Sequence, residues 1–82
     1  MFDSSRLYVE RLGLVSVVVL SSESRIIKNR LHIIEEIACF KNEKPYLMVV
    51  HWSKNPKSGY SYIVDRSKEI SQYEYTRLTK DQ

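Results

Sequence analysis

At about 100° per residue, residues 22–41 separate their apolar side chains from their polar ones with a single exception. Ile26, Ile27, Leu31, Ile33, Ile34, Ile37, Ala38 and Phe40 fall on one side of the wheel. Ser24, Arg25, Lys28, Asn29, His32, Glu35, Glu36 and Cys39 fall on the other. Ser21 and Ser22 supply caps, and Glu23 suits the positive end of a helix dipole. The spacing predicts one long amphipathic helix. Its apolar arc covers roughly half the circumference, more than the ~100° stripe that a surface helix minimally needs. Arg30 is the exception and lies inside the arc.

The segments around this helix read as strands. Residues 14–20 (Leu-Val-Ser-Val-Val-Val-Leu) are dominated by β-branched valine, which disfavours a helix. Residues 46–52 combine aromatic and β-branched side chains, and residues 60–65 do the same. Between them, residues 53–59 (Ser-Lys-Asn-Pro-Lys-Ser-Gly) carry a turn signal, so the pair reads as a hairpin. Setting Trp52 opposite Tyr60 places Tyr46, Met48, Val50, Trp52, Tyr60, Tyr62 and Val64 on one face. Leu47, Val49, His51, Ser61, Ile63 and Asp65 then share the other. Residues 42–45 end the helix, because Lys44 precedes a proline.

Both ends of the chain are ambiguous at this level. Residues 2–12 fit an edge strand, which is preferred, or a short helix capped at Ser4 or Ser5 and ended by Gly13. Residues 72–78 alternate as a fourth strand, with a helix capped by Ser67 as the competitor. The expected fold class is α+β: a small mixed sheet of three to four strands in the order β-α-β-β, with a further C-terminal strand in the four-stranded form. The long helix covers one face. Short connections would make the first two strands parallel, joined by a right-handed crossover.

Length and composition set the outer limits. Eighty-two residues, 43% hydrophobic with two glycines and two prolines, read as a single domain over residues 1–82. Cys39 is the one cysteine, so an intramolecular disulfide is excluded and a reducing, cytoplasmic setting is expected. Residues 12–20 are too short for a membrane span, and Asp3 and Glu10 do not suit a secretory signal. The net charge of +3 resides in residues 53–68, where Lys54, Lys57, Arg66 and Lys68 face Asp65 alone.

No constellation reads as catalytic, so no enzyme, no cofactor, no metal site and no small-molecule substrate is expected. His32, Glu36 and Cys39 could approach one another on a helix, but no second cluster completes a metal site and a solvated face explains them. Asp65 with Lys68 and Glu69 only faintly imitates a metal-dependent nuclease. Serines fall in caps and turns, and Gly13 and Gly59 do not make a phosphate loop.

Surplus apolar surface is the functional clue. One helix covers one sheet face, yet both faces carry large apolar groups, and the helix arc is too broad for one contact. The leading expectation is a small regulator, inhibitor or adaptor that binds another protein or itself. Ile26, Arg30, Ile33, Ile37 and Phe40 are its expected partner-binding residues, and a homodimer is one form of it. The alternative is nucleic-acid binding through the hairpin, with Lys54 and Lys57 for phosphates and Trp52, Tyr60 and Tyr62 for stacking.

Overall fold

In the computed structural model, which describes residues 4–57 and 59–80, residues 22–41 are not a helix. They form most of a β-hairpin: β1 (Val15–Ile27) turns at Lys28 and Asn29 into β2 (Arg30–Lys41). A second two-residue turn at Asn42 and Glu43 leads to β3 (Lys44–Asn55), and β4 (Gly59–Glu69) follows. The sheet order is β1-β2-β3-β4, and every pairing is antiparallel. The long helix, the parallel pair and its crossover are therefore all corrected to a simple meander. Expectations touching Phe2, Asp3, Ser58, Asp81 and Gln82 lie outside the described residues.

Two physical terms favour strand over helix here. Ile26, Ile27, Ile33, Ile34 and Ile37 are β-branched, which lowers helix propensity and suits a pleated surface. The two tight turns also require left-handed backbone. Lys28 and Asn29 have φ of 52° and 61°, and Asn42 and Glu43 have 51° and 67°. Positive φ at both central residues is what a type I′ turn demands, and its twist matches that of the flanking strands. Burial along β2 then follows a period of two: Ile33, Glu35, Ile37 and Cys39 are buried on the front face.

The hairpin of β3 and β4 is present as expected, and its faces hold. Its register is Trp52 opposite Tyr62 and Lys54 opposite Tyr60, two residues from the expected pairing. An even slip keeps every side chain on its own face. A bulge between Val49 and Val50 leaves Asp65 outside the ladder.

Both outer segments of the described residues are helical rather than extended. The first is α1 (Ser4–Leu7), which continues through a π-helical turn (Tyr8–Leu12) and stops at Gly13 with φ +68°. That left-handed position lets Leu14 N–H donate to the Tyr8 carbonyl at 3.1 Å. The tail forms α2 (Gln72–Thr79), capped by Ser71, whose Oγ accepts from Glu74 N–H at 3.0 Å.

The core lies between the N-terminal helical arm and the front of the sheet. Tyr8 and Leu14 pack there with Ile37, Met48, Val50 and Trp52. On the back, α2 covers one end of the sheet: the Phe40 and Tyr75 rings meet edge to face at 4.7 Å. Tyr75 Oη also donates to the Ser16 carbonyl at 2.7 Å, where β1 is bulged and Ser16 has φ 51°.

Candidate functional site

The residues expected to form one partner-binding helix face are dispersed by the meander. Ile33 and Ile37 are buried in the front core, 6% and 0% exposed. Phe40 is half-buried on the back against Tyr75. Ile26 and Arg30 are exposed beside the first turn. His32 and Glu36 likewise separate from Cys39, because positions 32 and 36 alternate to the back of β2 and position 39 to the front. Among the described residues, no group of three or more His, Cys, Asp or Glu side chains is placed to hold a metal ion.

The aromatic half of the expected nucleic-acid surface is also reassigned. Trp52 is fully buried and Tyr60 is half-buried, while Tyr62 keeps 39% of its surface exposed. Lys54 and Lys57 remain exposed near the tip. A stacking platform around Trp52 is therefore absent.

What holds Trp52 is a buried polar chain that local sequence patterns do not reveal. Its Nε1–H donates to Tyr8 Oη at 3.0 Å, and Tyr8 Oη–H donates to Glu35 Oε1 at 2.8 Å. Ser22 Oγ–H donates to Glu35 Oε2 at 3.2 Å. Glu35 is 5% exposed, and no buried side-chain nitrogen or oxygen among the described residues lacks a partner. Burial raises the Tyr8 hydroxyl well above the usual phenol range, Glu35 adds to the rise and the Trp52 hydrogen bond opposes it. The chain clamps the helical arm to the sheet. Arg11 at the end of that arm donates to the Tyr60 carbonyl on β4.

Cys39 lies in the same core. Burial pushes its thiol up to about 11, with Lys41 pulling slightly the other way. The unfolded chain gives up this proton first, near 9.0, so the contribution is complete below that pH and is lost as pH rises toward 11. Urea titrations across this window should show stability falling by up to about 2–3 kcal/mol. Cys39→Val should flatten the fall below pH 10. An unchanged slope in that variant would remove the assignment.

Several open surfaces remain among the described residues. A cleft of about 290 Å³ on the front runs between the arm and β4, lined by Arg11, Leu12, Met48, Tyr62 and Val64 among others. On the back, His32 Nδ1 and His51 Nε2 share a hydrogen bond of 2.9 Å. Along the outside, β4 is an edge strand: among the described residues no further strand pairs with it. Tyr62, Ile63 and Val64 are 39%, 65% and 38% exposed, so this edge shows apolar side chains on both faces of the sheet. Among the described residues, no helix is long and apolar enough to cross a membrane. No protein-family model matches the chain, and neither a curated protein nor a solved structure matches it.

Proposed function

We propose that this chain is a small binding protein that works by self-association, two copies pairing along β4. The observation that carries the reading is the uncovered edge with three successive exposed apolar residues, Tyr62, Ile63 and Val64. An exposed edge is a template for another strand. The opposite edge, β1, is more polar along its middle, which reads Ser21-Ser22-Glu23-Ser24-Arg25.

The occupant is argued from the pattern of the edge. A two-fold axis through Ile63 sets that side chain against its own copy and Tyr62 against Val64. The same strand is thus complementary to itself in one antiparallel register, apolar against apolar. The buried polar chain serves to fix the arm.

Sedimentation equilibrium provides the test. The unmodified chain should dimerise with rising concentration. Ile63→Lys, at a side chain that is mostly exposed, should weaken the dimer at least tenfold, about 1.4 kcal/mol. Val64→Lys should weaken it as well, because the same register sets Val64 against Tyr62 of the other copy. A chain that stays monomeric at every attainable concentration would refute the proposal, as would an Ile63→Lys variant that associates like the unmodified chain.

A further inference from the structure

The meander brings together four cations that lie far apart in sequence. Turns β1–β2 and β3–β4 emerge at the same end of the sheet, while turn β2–β3 emerges at the other. Lys28 and Arg30 stand on the first tip, Lys54 and Lys57 on the second, and all four are exposed. Residues 26–34 and 53–64 contain no Asp or Glu. None of the ion pairs among the described residues involves these cations, since the pairs are Arg6–Glu10, Arg25–Glu23 and Arg77–Glu74. An open groove of about 570 Å³ between the tips is lined by Lys28, Arg30 and Lys54, with Ile26, Leu31 and Pro56. The whole chain carries +3, so the rest of the molecule holds one excess negative charge, and the field is polarised toward this end.

We infer that this end of the sheet binds the phosphate backbone of duplex nucleic acid, without reading its sequence. The spacing favours a polymer over a single phosphate. The two tips are separated by about two strand spacings, roughly 10 Å. One phosphate cannot meet both tips, whereas a strand presenting a charge every ~3.4 Å along its axis can. The burial of Trp52 favours a duplex over a single strand, because single-strand binding draws on exposed rings for base stacking. Lys28 rides on a two-residue turn of defined backbone, which limits the order lost there on contact. The site shares no residue with the β4 interface proposed above.

The test is fluorescence anisotropy with a labelled duplex DNA of mixed sequence, beside a single strand of equal length, polyglutamate and vesicles rich in phosphatidylserine. The duplex should bind tightest. Its log–log salt slope should lie at about −3 to −4 for four phosphate contacts, on the order of a hundredfold loss between 50 and 200 mM salt. Lys28→Gln, Arg30→Gln, Lys54→Gln and Lys57→Gln should each reduce the slope by about one. Lys44→Gln, at the opposite end, should leave it unchanged, and Ile63→Lys should still bind. Circular dichroism verifies that each variant is folded. The inference is overturned by no duplex binding at low salt, by equal or tighter binding of any of the other three probes, or by a quadruple variant that binds like the unmodified chain.

Discussion

Trp52→Ala is expected to remove about 3–5 kcal/mol of stability, the range for emptying a buried indole site. A chain of 82 residues holds roughly 4–12 kcal/mol in total, so this variant should be largely unfolded at moderate temperature. The size of the loss follows from where the ring sits. Trp52 is fully buried, packs edge to face on Tyr8 at 5.2 Å, and lies 5.5 Å from the Tyr62 ring. It also joins the arm to the sheet through its hydrogen bond to Tyr8. Urea unfolding followed by circular dichroism measures the effect, and a loss below about 1 kcal/mol would show that the indole is not the centre of the core.

Tyr8→Phe deletes one oxygen and should cost about 2–4 kcal/mol, because two buried partners are orphaned together. Trp52 Nε1 loses its acceptor, and Glu35 Oε1 loses the donor that satisfied it at 2.8 Å. Adding Glu35→Leu should recover part of that loss, since it removes the orphaned carboxylate while Trp52 Nε1 stays without its acceptor. The two changes are therefore expected to be strongly non-additive, with a coupling of about 1–3 kcal/mol. Limited proteolysis offers a second readout: the arm should be cut faster in Tyr8→Phe than in the double variant. Additive losses in the cycle would mean that Tyr8 and Glu35 do not act as a unit.

The sequence carries part of this architecture locally and part of it only at long range. Alternation through residues 46–64 assigns the faces of β3 and β4, and the turn at 53–59 joins them. The register slips because Gly59, with φ +79°, opens β4 rather than sitting inside the loop. Residues 22–41 mislead for a specific reason. When both faces of a strand carry isoleucine, the apolar positions satisfy a period of 3.6 as readily as a period of two. The turn at Lys28 and Asn29 has no glycine to mark it, and lysine seldom adopts positive φ. The β-branching of five isoleucines is the signal that favours strand. Ser71 with Glu74 has the spacing of a helix-capping pair, which marks α2 more directly than the alternation of Tyr73, Tyr75 and Arg77 suggests a strand.

The rest depends on tertiary contact. Glu35 looks solvated on any local pattern, and its burial makes sense only with Tyr8, twenty-seven residues earlier, and Ser22 across the hairpin. The four-cation end is equally invisible, because Lys28 and Arg30 join Lys54 and Lys57 only once the meander is built. Of the expected contact residues, Ile26, Arg30, Lys54, Lys57 and Tyr62 stay at the surface, while Ile33, Ile37 and Trp52 go to the core.

Amide hydrogen exchange at low and high protein concentration tests the proposed interface most directly. If β4 edges pair, the amides from Tyr62 to Arg66 that point away from β3 should exchange slowly only at high concentration, while those on the outer side of β1 keep one rate throughout. Exchange along β4 that is fast and independent of concentration would contradict the account.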